Sequence, residues 1–175
     1  MKASNAKAKP TETPKEDQGK TLVAYVTKSA AAGEAANLIA DTLREKSGLE
    51  VDVVDLKKQP HPDLEPYANV ILGSGARMGS VYREAVEFMK QDLSSKRVAI
   101  FICSVAGGDP KRTDLIAHRY ITEGLARNPN LRLVSMKAFG GCLKVFGKAV
   151  IDRREPAKIQ AWAEELGKKF TESPT

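Results

Sequence analysis

Long apolar runs are missing from this 175-residue chain. Nowhere does it hold the roughly 18–20 consecutive apolar residues that a membrane span needs, so none is expected. The N-terminus lacks the continuous apolar stretch of a secretory signal, and a cytoplasmic location is the expectation. Cysteine is scarce. Cys103 and Cys142 form no CxxC pair and no metal-ligand spacing with His61 or His118, the only two histidines. That excludes the usual thiolate and imidazole metal clusters. Aromatics make up 6% of the chain, and no basic stripe interleaves with them as in a nucleic-acid reader. No nucleic-acid partner is therefore expected. The net charge of +6 favours anionic partners in general, but the basic residues are scattered and read as a solvated surface.

What is present is an ordinary globular balance, 42% apolar and 29% charged, in a chain long enough for one domain that buries roughly two-thirds of its surface. Residues 1–20 are rich in Lys, Glu, Thr and Pro without apolar periodicity. Such a segment cannot offset its ordering entropy, and it is expected to form a disordered tail. The folded domain is expected over 21–170, with 171–175 as a short C-terminal tail.

From Thr21 strand and helix patterns alternate. Thr21–Val26, Glu50–Asp55, Asn69–Gly73 and Val98–Ser104 are short apolar runs of the kind that form strands covered on both faces, and a fifth strand lies within Leu131–Phe139. A helix is expected from the loop ending at Gly33 to about Lys46, with Gly48 stopping it. Ser80 is positioned to cap a second helix carrying Val81, Ala85, Phe88 and Met89. A third follows Pro110 and runs to about Arg127. Pro156 opens a last helix that buries Ile159, Trp162, Ala163, Leu166 and Phe170. The link between strands two and three is too short and Pro-rich for a full helix, and Lys148–Arg154 reads only as polar. This alternation predicts a three-layer α/β sandwich on a five-stranded parallel sheet, order 2-1-3-4-5. Its switch point lies between strands one and three, where a ligand binds at the carboxyl ends.

Three small-residue loops follow strands one, three and four: Thr27–Gly33, Ser74–Gly79 and Val105–Pro110. Small residues let backbone N–H groups approach a ligand. The first loop leads into a helix N-terminus, and Thr27, Lys28 and Ser29 add hydroxyls and a charge. It reads equally as a phosphate site or as a plain strand-to-helix turn. There is no GxxxxGK[ST], no GxGxxG in the first turn and no acidic pair after strand one, which sets aside P-loop, dinucleotide and receiver sites. No side chain reads as a general acid or base.

The layout LVAYVTKSAAAGEAANLIADTLREKSGLEVDVVDLK, then ANVILGSGARMGSVYREAVEFMK, then VAIFICSVAGGDPKRT resembles the flavodoxin-domain family. It is nearest to the branch of menaquinone-dependent protoporphyrinogen oxidases, in a short form. The resemblance runs from about Thr21 to Phe170. Its more specific pieces are Gly73, Ser74, Met78 and Gly79, together with VAGGDPKRT. It implies FMN as cofactor and an electron-transfer protein or FMN-dependent oxidoreductase. A redox partner protein or a quinone-like small molecule would be its counterpart. Carried over by position, Thr27, Ser29, Ala30, Ala31 and Ala32 surround the phosphate, with Lys28 beside them. Ser74, Gly75, Ala76, Arg77, Met78 and Gly79 line one side of the flavin ring, and Ala106, Gly107, Gly108 and Asp109 the other. The chain departs from the family pattern in two places. Ala30, Ala31 and Ala32 stand where the family's phosphate loops usually carry a glycine and two hydroxyl residues, and Arg77 stands where an aromatic is usual. The alternative implied by those departures is a flavodoxin-like binding module without FMN.

Overall fold

Five apolar runs become the parallel strands of one sheet in the computed structural model, which describes residues 19–126 and 128–172. They are β1 (Lys20–Val26), β2 (Val51–Asp55), β3 (Tyr67–Arg77), β5 (Arg97–Ser104) and β6 (Leu133–Gly140). Their spatial order is β2-β1-β3-β5-β6, as expected for the parallel strands, but the sheet has six strands and not five, because the short β4 (Ser80–Val81) adds antiparallel to β3. Val23 lies between Val53 and Ile71, and Ile71 in turn pairs with Ala99. The segment 1–18, read above as a tail, lies outside the described residues, as do Arg127 and 173–175; Lys20 already belongs to β1.

The period-2 alternation of these strands splits the core in two. Val23, Ile71, Ala99, Phe101 and Cys103 pack with α1 (Ala31–Ser47) and α4 (Pro156–Thr171). Leu22, Ala24, Val70, Leu72, Ile100 and Ile102 pack on the opposite face. That face is covered by α2 (Arg83–Phe88) and α3 (Thr113–Ala117). Beyond α3 the chain continues in wide turns, with bonds five residues apart, over His118–Leu125. Gly48 ends α1 in a left-handed conformation (φ 64°), donating its N–H to Leu43 O. Trp162 is a core anchor as expected: its ring meets Phe101 and Phe139 edge-on at 6.1 and 5.6 Å, and its Nε1 donates to Ser135 Oγ at 2.9 Å.

At the amino ends of the strands a buried polar chain crosses three strands. Arg97 Nε donates to Asn69 Oδ1 (2.8 Å) and Asn69 Nδ2 donates to Thr21 Oγ1 (3.0 Å). Arg97 also reaches Phe170 O at the end of α4 (2.9 Å).

Four local expectations are corrected. Ala31, Ala32 and Gly33 lie in the first turn of α1 rather than in the loop. The second loop is a β-hairpin: β3 runs on to Arg77, turns through Met78 (φ 51°) and Gly79 (φ 82°), and returns as β4 (Ser80–Val81). Two successive left-handed residues match the twist of such a turn. Ser80 therefore pairs with Arg77 instead of capping α2, and Val81 sits in the strand. Finally, Lys148–Arg154 is not a plain polar link. Cys142–Val145 (β7) and Lys148–Asp152 (β8) form a separate antiparallel hairpin.

Candidate functional site

The carboxyl ends of β1, β3, β5 and β6 open on one cleft of about 540 Å³. The switch in strand order creates it: β1 is flanked by β2 and β3, whose connections leave on opposite faces, so the loops diverge. After β1 come Lys28, Ser29 and Ala30; from the end of β3 and the turn beyond it, Gly75, Ala76, Arg77, Met78 and Gly79; after β5, Ala106. These nine of the sixteen residues named from the sequence share the cleft.

The other seven support its walls. Ala31 and Ala32 are buried on the core side of the first turn of α1. Thr27 Oγ1 accepts the Ser29 N–H at 3.4 Å, and Thr27 O accepts a bond from Lys57 Nζ. Buried Ser74 donates to Gly75 O at 2.8 Å and accepts the Tyr82 N–H. Gly107 donates to Ser104 Oγ at 2.9 Å, and a side chain there would stand 2.4 Å from Phe139 O. Gly108 packs likewise against Arg153 and Gly140, and Asp109 accepts the Lys111 N–H in a local turn. The third loop thus lends only Val105 and Ala106 to the cleft.

Residues not anticipated complete the lining, among them Tyr82, Cys103, Ser104, Tyr120, Cys142, Leu143 and Lys144. Tyr82 precedes α2, and its ring lies so close to Gly75 that a Cβ there would be 2.6 Å from it. The only sequence signal was an aromatic a few residues past the second loop. Leu143 and Lys144 arrive with the β7–β8 hairpin, signalled by alternation around the Phe146–Gly147 pair.

The electrostatics of the cleft have one sign. Lys28, Arg77 and Lys144 line it, and among the described residues no carboxylate does. At one end is the N-terminus of α1, whose first-turn N–H groups have no partner within the helix. Ala30, the residue before it, is left-handed (φ 69°) and supplies no side-chain cap. The Lys28 ammonium sits 4.9 Å from the centre of the Tyr82 ring. Burial pushes the Tyr82 hydroxyl above its ordinary pKa, with Arg77 opposing. Burial, reinforced by Glu34, pushes the Cys103 thiol up to about 12, so it is a neutral apolar wall rather than a nucleophile. His118 is exposed, 3.8 Å from Glu123 Oε1, and His61 is exposed outside the cleft.

Residues 22–165 match the family model described as a flavodoxin domain. The chain belongs to the flavodoxin-domain family. Among curated proteins it is similar to protoporphyrinogen IX dehydrogenase [quinone] of Escherichia coli strain K12, 27% identical over 96 residues. Those residues are 53% of this chain and 52% of that one; the chain spans about half the length of the curated relatives it matches. Among solved structures it is similar to oxidised flavodoxin 1 from Bacillus cereus. The TM-score is 0.56 and the identity 19%, covering 89% of this chain and 99% of that one. A flavo di-iron protein variant from Thermotoga maritima superimposes with a TM-score of 0.57 at 20% identity, over 88% of this chain and 36% of that one. These likenesses establish the flavodoxin fold. No helix among the described residues is long and apolar enough to cross a membrane.

Proposed function

We propose that this cleft binds FMN and that the protein is a cytoplasmic electron-transfer flavoprotein or FMN-dependent oxidoreductase, carried by a single domain over 21–170. The supporting observation is the cleft itself: acid-free, bearing three cations, and bounded by a helix N-terminus and an aromatic ring. Its volume is that of a cofactor site, which commonly spans about 300–1,000 Å³. The first-turn amides of α1, the Ser29 hydroxyl and the Lys28 ammonium would hold the phosphate. Tyr82 and the Arg77–Gly79 turn would face the ring, and Tyr82 would take the role of the aromatic absent at Arg77. When bound, FMN supplies one- and two-electron transfer. The chain's own part is to orient the cofactor, to keep its outer edge accessible, and to set the local charge positive through Lys28, Arg77 and Lys144. The counterpart is a redox partner protein or a quinone-like small molecule, the latter class being the one that the Escherichia coli relative is named for.

A second reading, a flavodoxin-like module without FMN, is favoured by one observation. Ala31 and Ala32 put buried methyls where hydroxyls would hold a phosphate. Titrating purified protein with FMN separates the two. Quenched flavin fluorescence with one-to-one saturation at micromolar concentration or tighter supports the cofactor reading. A colourless protein that leaves the fluorescence unchanged at 100-fold excess overturns it.

A further inference from the structure

The β7–β8 hairpin extends from the cleft wall as a two-stranded ribbon, and every residue from Leu143 to Asp152 is exposed. Five of them are large and apolar: Leu143, Val145, Phe146, Val150 and Ile151. Phe146 is at the tip with its side chain wholly in water (102% exposed). It is also left-handed, with φ 48°, followed by Gly147 at φ 77°. A bulky residue is strained there, and Asn or Gly would make the same turn more easily. The turn does not explain the phenyl ring; a surface that the ring enters does. A two-stranded ribbon is marginal by itself in water, and apolar side chains on both strands call for something to cover them.

The charges identify the occupant. From Leu143 to Ile151 the only charged residues are Lys144 and Lys148. The next, Asp152, is taken up by Arg154, whose Nε donates to Asp152 Oδ1 at 2.9 Å. Arg77 and Met78 line the same cleft as Leu143 and Lys144, and Met78 is 94% exposed. The face therefore combines inserted apolar tips with flanking cations and bears no unpaired acid on the ribbon. A second copy would bring the same lysines together on chains that each carry +6. Nucleic acid would need stacking rings, whereas four of the five apolar side chains are aliphatic. An anionic bilayer satisfies both features, since lysine stems lie along the apolar zone with their heads at the phosphates.

We propose that the β7–β8 hairpin is a docking element for an anionic phospholipid surface, with Phe146, Val145 and Val150 entering the headgroup–acyl boundary and Lys144 and Lys148 meeting lipid phosphates. Docked this way, the mouth of the cleft faces the bilayer. This assignment does not depend on FMN, and lipid binding is measured without the flavin.

Flotation of the full chain with vesicles of phosphatidylcholine alone, or with one-third phosphatidylglycerol, tests it. Binding to the anionic vesicles is expected, at least tenfold weaker for Phe146→Ser and for Lys148→Glu. Phe146 is wholly in water and Lys148 is exposed, so folding is unaffected; matching melting curves check this. Phe146→Trp should gain a blue-shifted emission component on adding anionic vesicles. Equal binding of Phe146→Ser and wild type, no binding to anionic vesicles, or equal binding to the neutral ones overturns the proposal. So does a lipid-free dimer that Phe146→Ser dissolves, which would assign the patch to a second copy.

Discussion

Lys28 holds its ammonium 4.9 Å from the centre of the Tyr82 ring, directly across the cleft between the ends of β1 and β3. The pair joins the first loop to the start of α2. Under the proposed FMN reading, the cation serves the phosphate and the aromatic plane serves the flavin ring. Removing the ring should therefore weaken FMN. Tyr82→Ala is expected to lower affinity about tenfold or more, since an aromatic contact contributes about 0.5–1.5 kcal/mol beyond its area burial. Tyr82→Phe should stay within about threefold, because stacking does not use the hydroxyl. Fluorescence titration of both variants checks this; equal losses for the two would move the role to the hydroxyl.

The uniform sign of the cleft predicts its redox poise. Lys28, Arg77 and Lys144 stabilise added negative charge, so bound flavin should be easier to reduce than in an acidic flavodoxin. Lys28→Glu and Arg77→Glu are expected to lower the midpoint potential by tens of millivolts, where about 59 mV corresponds to a tenfold change for one electron. The shift should shrink at high salt, because the cleft is open to solvent. Spectroelectrochemical titration at two ionic strengths measures both; an unchanged potential would place the charges too far from the ring.

Ala30 offers a stability test at the first loop. A left-handed alanine costs about 1–2 kcal/mol, whereas glycine takes φ 69° freely at a smaller cost in unfolded-chain entropy. Ala30→Gly should thus gain about 0.5–1 kcal/mol, or about 1–4 °C in Tm for a chain of this length. Calorimetry of the flavin-free protein reads it without interference from the cofactor.

Alkaline pH should destabilise the fold through Cys103. The folded thiol keeps its proton up to about 12, against an ordinary value of 9.0. Between those values the unfolded chain binds fewer protons, so stability falls as pH rises, at up to about 1.4 kcal/mol per pH unit. Below 9 the contribution is constant. Tyr67, raised to about 12 first by burial and then by its bond to Asp52, adds to the upper part of the window. Urea midpoints from pH 7 to 10.5 should slope downward above 9. Cys103→Ala should flatten that limb even though its cavity lowers the whole curve.

Short, nearly continuous apolar runs carried the sheet. Leu22 and Val23, or Ile71 and Leu72, point to opposite faces and need helices on both, which makes the layered parallel sheet legible from patterning, while the order and the crevice follow from the usual winding of such sheets. What patterning missed are features set by twist and close approach. Nothing local in GSGARMGSV separates a flexible loop from a strand that turns through Met78 and Gly79 and comes back. Gly107 and Gly108 read as ligand contacts because they are small. They are small because Phe139 O, Gly140 and Arg153 press on them. Tyr82 was invisible as a cleft residue because its placement depends on that hairpin, and Lys144 because its strand belongs to no main-sheet pattern.

The Thr21–Asn69–Arg97 chain lies at the end of the sheet away from the cleft. Sliding any one of those three strands by a single residue would turn Asn69 or Arg97 toward the wrong layer and leave buried polar atoms unmatched. Alignment is thereby settled at one end of the barrel-free scaffold, and the opposite end is released from that duty. Away from tightly packed points such as Gly107 and Gly108, its turns can change length, sequence or charge without misthreading the strands beneath them.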